Sequence, residues 1–282
     1  MNKTFKKLTA LLSTLVFTLG LSACNEKESN VSPVSNIEKL QQADKVRIGI
    51  FSDKPPFGYI DSQGKSQGFD VEIAKVITKD LLGDENKVQY VLVEAANRVE
   101  YLQSDKVDII LANFTVTPSR REVVDFAKPY MKVALGIVSK NGSPITDLSQ
   151  LEGKTLLVNK GTTADVYFSK NYPNIKLLKF EQNTETFEAL RDGRGEALAH
   201  DNTLLFAWAK ENPEFTVGIK NLGEQDFIAP AVKKGNTELL NWLNIELEKL
   251  GRKGILTQAY QKTLLPVYGD SINEKDVVVD YQ

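Results

Sequence analysis

Residues 155–201 have the sequence TLLVNKGTTADVYFSKNYPNIKLLKFEQNTETFEALRDGRGEALAHD, in which three short apolar runs alternate with two amphipathic stretches. The apolar runs have the length of strands, and the stretches between them have apolar residues at helical spacing. Strand–helix alternation of this kind predicts an α/β fold with a largely parallel sheet. The predicted strands are 155–159, 175–180 and 197–201, and the predicted helices are 164–170 and 184–191.

The same alternation occurs on the N-terminal side of this stretch. Predicted strands lie at 46–51, 88–93 and 107–112, and predicted helices at 69–82 and through 99–102. Towards the C-terminus, four leucines fall on one helical face behind a possible cap at Thr237. These leucines are Leu239, Leu243, Leu247 and Leu250.

Two β-rich segments, 131–139 and 226–232, lie at the seams between these regions. If both cross between two lobes, the first lobe comprises residues 37–130 and 230–282, and the second lobe is an insert of 135–225. The hinge then lies near 131–134 and 226–229. Two crossing strands can act as a hinge, so a ligand between the lobes can be enclosed by closure.

The N-terminus has the pattern of a lipoprotein signal. Lys3, Lys6 and Lys7 precede an apolar run, and the sequence Leu-Ser-Ala-Cys ends at Cys24, which is the only cysteine of the chain. We expect residues 1–23 to be a signal peptide, Cys24 to carry diacylglycerol and palmitate, and the polar residues 24–36 to be a flexible tether. An ordinary signal peptide and a short membrane anchor are the alternatives, although the apolar run is shorter than the ~20 residues of a span.

Composition excludes several classes of function. The formal net charge is −2 and no basic stripe is present, so we expect no nucleic-acid partner. One cysteine and one histidine argue against internal disulfides and a zinc site, and we expect no metal and no cofactor. Gly153-Lys154-Thr155 resembles the end of a phosphate-binding loop, but Leu148 occupies the position of its required glycine.

Three strand ends carry candidate binding residues. Arg120 follows the segment ANFTVTPS, where Thr117 or Ser119 and Pro118 indicate a helix start, so free amides and a guanidinium could bind an anion. Gly161-Thr162-Thr163 opens a second helix in the same way, and the two ends could clamp one carboxylate. Asp201 ends a strand and could bind an ammonium group. The alternatives are a solvent-exposed Arg120 and an Asp201 that only caps the next helix.

A series of short motifs runs along the chain from residue 55 to residue 201. They are Pro55-Pro56-Phe57, Gly68-Phe69-Asp70-Val71, Lys106-Val107-Asp108-Ile109-Ile110, Thr115-x-Thr117-Pro118-x-Arg120, Val124-Asp125-Phe126, Pro129-Tyr130, Leu151-Glu152-Gly153-Lys154, Gly161-Thr162-Thr163 and Asp201. In these motifs and their order, the chain resembles the extracytoplasmic solute-binding proteins that deliver polar amino acids to ABC importers (solute-binding protein family 3). The resemblance implies a two-lobed periplasmic-binding-protein fold of type II, no enzymatic activity, a monomer, a permease partner in the cytoplasmic membrane, and an extracytoplasmic location.

Roles for the ligand-binding residues follow from the same resemblance. It implies that Arg120 binds the α-carboxylate with donors at Thr115 and Thr163, and that Asp201 binds the α-ammonium. Asn113 is expected to contact the ligand through its backbone. The chain departs from the family pattern at two positions. Lys54 stands where many members have an aromatic residue, which weakens the case for an aromatic-clamped ligand such as arginine or histidine, and Ala95 replaces a larger pocket residue. The ligand-binding set is Lys54, Ala95, Arg98, Asn113, Thr115, Arg120, Gly161, Thr162, Thr163 and Asp201.

Within the family, the chain resembles the cysteine-binding branch most closely. The shared stretches are Glu94-Ala95-Ala96-Asn97-Arg98-Val99-Glu100, Asn113-Phe114-Thr115, Leu157-x-Asn159-Lys160-Gly161-Thr162-Thr163 and His200-Asp201-Asn202. Cysteine is therefore the preferred ligand, and glutamate or aspartate is the alternative, with Arg98 as a second carboxylate clamp. Arg98 could also be a salt-bridge partner on a helix face. A periplasmic dehydratase on the same fold, with His200 as its general acid, is a remote alternative.

Overall fold

A computed structural model describes residues 35–281 of the chain. Its strands are β1 (Val46–Ile50), β2 (Asp53–Lys54), β3 (Gly58–Ile60), β4 (Ser66–Gln67), β5 (Val88–Leu92), β6 (Ile109–Ile110), β7 (Val124–Phe126), β8 (Met131–Lys140), β9 (Thr155–Asn159), β10 (Lys176–Phe180), β11 (Ala197–Asp201), β12 (Phe215–Ile228) and β13 (Ala231–Lys233). The predicted signal peptide, Cys24 and most of the predicted tether lie outside the described residues.

The helices of residues 35–281 lie between these strands, before the first strand or after the last one. They are α1 (Asn36–Ala43), α2 (Phe69–Leu82), α3 (Arg98–Gln103), α4 (Pro118–Val123), α5 (Thr163–Asn171), α6 (Asn183–Arg191), α7 (Asn202–Glu211), α8 (Thr237–Arg252), α9 (Ile255–Thr263), α10 (Leu265–Tyr268) and α11 (Glu274–Val277). Short 3₁₀ turns occupy Glu85–Lys87, Leu148–Leu151 and Gly269–Ser271. No helix within residues 35–281 is long and apolar enough to cross a membrane.

Two five-stranded sheets form the centres of two α/β lobes, which confirms the predicted fold class. The first sheet has the order β5-β1-β6-β13-β7 and the second β10-β9-β11-β8-β12. Both sheets are mixed rather than largely parallel, because β13 in the first and β8 and β12 in the second pair antiparallel with their neighbours. A third, small antiparallel sheet, β2-β3-β4, packs on α2 with the first lobe.

The long strands β8 and β12 pair with each other from Met131↔Ile228 to Lys140↔Phe215. They connect the second sheet to the first lobe, where Ile228 also bridges Thr115. The predicted β-rich run 226–232 is interrupted, because β12 ends at Ile228 and β13 starts at Ala231 after Pro230. Proline has no backbone N–H to continue a ladder. The residue limits proposed for the lobes and hinge stay a prediction.

The predicted strand 107–112 is shorter in the structure, where β6 covers only Ile109–Ile110. The chain leaves the sheet at Leu111, whose N–H still donates to the Gly49 carbonyl, and it turns at Asn113 with φ of 46°. Asparagine adopts this left-handed conformation more readily than most residues. The early end of β6 therefore delivers residues 111–117 to the region between the lobes.

Candidate functional site

Asn113 is fixed by three partners in the first lobe. Its N–H donates to Asp70 Oδ2 at 2.8 Å, its carbonyl accepts from Arg98 Nη1 at 3.2 Å, and its side-chain Oδ1 accepts from Lys54 Nζ at 2.6 Å. Asp70 Oδ1 accepts in turn from the hydroxyl of Tyr130 at 2.8 Å. Burial raises the pKa of Asp70 to about 7, although these hydrogen bonds and the nearby cations counteract it. The backbone groups expected to face the ligand are thus engaged by the protein.

Arg98, at the start of α3, is 3% exposed and holds two loops together. Its Nε donates to the Ala95 carbonyl at 3.1 Å, and its Nη1 donates to the carbonyls of Ala112 and Asn113 at 2.9 and 3.2 Å. Within residues 35–281 it forms no ion pair, so the alternative of a salt-bridge partner on a helix face is wrong. Burial, followed by repulsion from Arg120, lowers the pKa of Arg98.

Arg120 lies in α4, which starts as the sequence predicts, with Thr117 as the N-cap and Pro118 at the first position. Its Nη1 donates to the Thr115 carbonyl at 2.7 Å, and its Nη2 donates to the Gly161 carbonyl of the second lobe at 2.9 Å. Arg120 therefore reaches across the cleft between the lobes instead of lying on a solvent-exposed helix face. Burial lowers its pKa to about 10, so the guanidinium stays charged at neutral pH.

Two phenylalanine rings lie against the three first-lobe cations at the cleft, which are Lys54, Arg98 and Arg120. Lys54 Nζ and Arg98 Cζ lie 5.3 and 5.5 Å from the centre of the Phe51 ring. Arg98 Cζ and Arg120 Cζ lie 4.3 and 4.6 Å from the centre of the Phe114 ring. Attraction between a cation and the face of an aromatic ring offsets part of the cost of burying the charge. The two rings thus help to stabilise three neighbouring positive charges at the cleft.

Asp201, at the end of β11, forms a buried ion pair with Lys54 across the cleft, at 2.8 Å between Oδ2 and Nζ. Burial raises the pKa of Asp201, but Lys54, His200 and Arg98 more than compensate and hold it below the ordinary value. Burial lowers the pKa of Lys54. Asp201 precedes α7, but its side chain makes no capping hydrogen bond there, so the alternative role as a helix cap is wrong.

His200 is buried beside Asp201 and is neutral at physiological pH. Its Nδ1 accepts the N–H of Asp201 at 2.7 Å, which places the proton of the neutral ring on Nε2. Burial lowers the pKa of His200 to about 3. A general acid needs a pKa near the working pH, so this environment does not suit His200 for the acid role of a dehydratase.

The start of α5 supplies the second-lobe wall of the cleft. Gly161 has φ of 74°, and a Cβ built on it would lie 2.6 Å from Cα of Ala96 in the first lobe. Only glycine permits this approach of the two backbones. Thr162 is the N-cap of α5 and accepts from the N–H of Asp165, while the half-buried Thr163 is the first helical residue.

The structure brings most of the predicted binding residues into three contact groups that meet at the cleft. The groups are Lys54–Asn113–Asp201, Ala95–Arg98–Asn113 and Thr115–Arg120–Gly161. Thr162 and Thr163 join them only through the start of α5, which follows Gly161.

Within residues 35–281, no cluster of three or more histidine, cysteine, aspartate or glutamate side chains could hold a metal ion.

Sequence reasoning missed Asp53, Asp70 and the two phenylalanines that support the site. Asp70 could have been found, because it shares one buried helical stripe with Ile73, Ile77 and Leu81. A carboxylate on an apolar stripe needs a buried partner. Asp53 meets the N-terminus of α6 in the second lobe, and nothing in the local sequence indicates that contact.

The sequence matches a known family over residues 46–265, and that family is described as bacterial extracellular solute-binding proteins, family 3. The chain belongs to this family. A crystal structure of the solute receptors for L-cysteine of Neisseria gonorrhoeae is similar, with a TM-score of 0.86 and 63% identity over 86% of this chain and 99% of that one. The cysteine-binding protein from Campylobacter jejuni has a TM-score of 0.86 and 59% identity, over 87% and 99% of the two chains.

A relative that is described as binding glutamine has a lower sequence identity to this chain. The ABC transporter glutamine-binding protein GlnH of Bacillus subtilis is 34% identical over 260 residues, which cover 90% of this chain and 94% of that protein. These comparisons confirm the family assignment and the fold predicted from the motifs. This solute-binding protein is not an enzyme, in agreement with the same comparisons.

Proposed function

We propose that this protein is the receptor of an ABC importer and captures a polar L-amino acid, with cysteine as the preferred ligand, by closure of its two lobes. The observation that carries the proposal is the pairing of first-lobe cations with second-lobe acceptors across one cleft, in Lys54–Asp201 and Arg120–Gly161. An amino acid carries both a carboxylate and an ammonium group, so it can satisfy both walls at once.

The α-carboxylate binds at Arg120 and the N-terminus of α5. A guanidinium has five N–H groups, and Arg120 donates two of them to the carbonyls of Thr115 and Gly161. The others can pair with a carboxylate, and the amides at the start of α5 favour negative charge. Thr115 and Thr163 complete this half of the proposed site.

The α-ammonium binds Asp201, which already pairs with Lys54 in the structure. A carboxylate has two oxygens and about four acceptor positions, so Asp201 can accept from both cations or exchange one for the other. Lys54 therefore limits the space beside the ammonium group. The space that Lys54 occupies beside this group favours a short side chain on the ligand.

Two observations favour cysteine over other short amino acids. The similar structures at 63% and 59% identity are described as receptors or binding proteins for cysteine, and they cover 86% and 87% of this chain. In addition, Phe51 and Phe114 are buried beneath the cations, so neither ring offers an exposed face on which a large ligand could stack.

Glutamate or aspartate is the second candidate ligand. The hydrogen bonding of Arg98 favours it. Three hydrogen bonds from Arg98 Nε and Nη1 go to carbonyls, whereas its Nη2 has no acceptor among residues 35–281. That nitrogen could pair with a side-chain carboxylate. The buried position of Arg98 and its three carbonyl partners equally support a purely structural role.

Thermal unfolding and calorimetry against the twenty amino acids and cystine test this proposal. A ligand that binds only the folded state stabilises it by about 2.7 kcal/mol at a hundredfold excess over its dissociation constant. We expect cysteine to give the largest rise in melting temperature. A larger rise with glutamate, lost in the Arg98→Ala variant, would assign the protein to the acidic-amino-acid branch.

We further propose that Cys24 is lipidated and anchors the receptor to a bacterial membrane, close to its permease. The support is the sequence pattern around Cys24 alone. The Cys24→Ser variant should leave the detergent phase in partitioning experiments and retain the amino-acid affinity of the wild type. Unchanged partitioning of this variant would place the anchor elsewhere.

A further inference from the structure

Asp53 makes a contact across the cleft that differs from those of the ligand site. Its Oδ2 accepts from the backbone N–H groups of Asn183 and Thr184 at 2.7 and 3.3 Å, and its Oδ1 accepts from Asn183 Nδ2 at 2.9 Å. Asp53 belongs to the first lobe and Asn183 starts α6 of the second. Both carboxylate oxygens of Asp53 are therefore used on the opposite lobe.

The N-terminus of α6 needs this partner. The first N–H groups of a helix have no acceptor within the helix, and a side chain at the N-cap position usually accepts one of them. In α6 the N-cap residue is Gln182, whose side chain makes no capping hydrogen bond. The carboxylate of Asp53 replaces the missing cap, and its charge suits the positive end of the helix.

Asp53 and Lys54 are the two residues of β2, and they reach different second-lobe elements. Lys54 pairs with Asp201 inside the proposed ligand site, whereas Asp53 pairs with α6. A bound ammonium group would compete with Lys54 for Asp201. It would leave the hydrogen bonds of Asp53 untouched, since these involve only Asn183 and Thr184 among residues 35–281.

We infer that Asp53 is a latch that raises amino-acid affinity by stabilising the closed arrangement of the lobes, without contacting the ligand. The inference rests on the proposed function, in which ligand binds between closed lobes. If only the closed form binds, the apparent dissociation constant rises as the closed fraction falls. Asp53 is then a positioning residue that acts through α6, and Asn183 is its partner in the latch.

The test compares Asp53→Ala with the wild type in the full chain, solubilised in detergent, with L-cysteine as the probe. Loss of the cap should raise the dissociation constant by about 2- to 30-fold, the range of a helix cap. The increase should appear in the dissociation rate. Glu185→Gln is the matched control, because it removes an exposed carboxylate from the first turn of α6 without crossing the cleft, and it should bind as the wild type does.

A second variant separates a latch from a cap that merely stabilises α6. Gln182→Asp in the Asp53→Ala background gives α6 a cap of its own within the second lobe. The latch predicts that this double variant regains thermal stability and keeps the weakened affinity. Recovery of both stability and affinity would overturn the inference.

The outcomes also separate this inference from the proposed function. If the wild type binds cysteine and Asp53→Ala binds it equally tightly, the latch is wrong and the receptor function stands. If the wild type binds neither cysteine nor any other amino acid, the proposed function itself is wrong.

Discussion

The first lobe brings cations to the cleft, and the second lobe brings acceptors. Lys54, Arg98 and Arg120 all belong to the first lobe, whereas the Asp201 carboxylate and the Gly161 carbonyl belong to the second. Lys54 and Arg120 each donate a hydrogen bond to an acceptor of the opposite lobe. The difference between the lobes can couple closure to ligand binding. A zwitterionic ligand offers a carboxylate to the first-lobe cations and an ammonium group to the second-lobe acceptors, and the two walls offer groups of the same kind to each other.

The two lobes also position these groups by different means. In the first lobe, the cations lie in the short elements β2, α3 and α4, and the loops beside them are held by side chains such as Asp70 and Arg98. In the second lobe, the acceptors lie at the ends of the neighbouring parallel strands β9 and β11. The carboxyl ends of parallel strands are common ligand sites because loops and helix N-termini converge there. Asp53 is the exception, since it is a first-lobe acceptor.

Arg120→Ala should weaken ligand binding most, because it removes the one guanidinium among residues 35–281 that donates to both lobes. Truncating one partner of an Arg–carboxylate pair in a desolvated site costs about 2–5 kcal/mol of binding free energy. We therefore expect the affinity for cysteine to fall by ~30-fold or more. Calorimetry measures the affinity, and circular dichroism checks that the fold is retained.

The neighbouring Arg121 provides the matched control for this prediction. It lies on the same helix, is exposed, and has its guanidinium 5.9 Å from the Phe126 ring rather than in the cleft. Arg121→Ala should bind as the wild type does. Equal affinities of Arg120→Ala and Arg121→Ala would exclude Arg120 from the carboxylate site.

Asp201→Asn should have the next largest effect, and it tests the acceptor wall. The amide keeps the shape but loses the charge, so Lys54 and the ligand's ammonium group both lose their ionic partner. We expect about a tenfold loss for cysteine, which corresponds to ~1.4 kcal/mol. The loss should be smaller for the matching 2-hydroxy acid, which has no ammonium group. Equal losses for the two ligands would show that Asp201 does not bind the α-ammonium.

Gly161→Ala tests whether the lobes must approach as closely as the structure shows. The added Cβ would lie 2.6 Å from Cα of Ala96, so the lobes must separate locally and affinity should fall by several-fold to about tenfold. Gly153→Ala is the control, since Gly153 has a similar φ of 71° but open space around it. It should lose only folding stability. An affinity loss in both variants would point to backbone conformation rather than to the closure contact.

The fold was predictable from the sequence because its signals are local. Helix α2 at 69–82 and strands β9 and β11 match their predicted limits, since periodicity and flanking glycines define them. The antiparallel strands were not predictable in the same way. The pairing of β8 with β12 depends on residues far apart in sequence, and alternation along the chain contains no information about it.

For the candidate site too, local features were predictable and contacts between distant residues were not. Arg120 and Asp201 stand at element ends with recognisable residue types, and the structure places both at the cleft. The contact of Lys54 with Asp201 and that of Asp53 with Asn183 join residues more than a hundred positions apart. Such partners are set by how the lobes meet, so no spacing in the sequence indicates them.

Asp70→Asn should change affinity least, by less than about threefold, and it tests whether the carboxylate behind the first-lobe cations is ionised. Burial raises the pKa of Asp70 to about 7, above its ordinary value near 4. The folded state therefore binds more protons than the unfolded state between these values, so Asp70 lowers the free energy of unfolding as pH rises from about 4 to 7. Above pH 7 its contribution is constant.

The Asp70→Asn variant cannot ionise at this position, so the slope that Asp70 contributes should disappear. That slope is at most about 1.4 kcal/mol per pH unit, since one pKa unit corresponds to this free energy. Urea unfolding at several pH values between 4 and 8 measures it. Because the substituted amide retains an oxygen that can accept from the Tyr130 hydroxyl, the variant should still fold. If the two proteins keep the same pH dependence, Asp70 is ionised throughout, and the first lobe carries a full negative charge behind its cations.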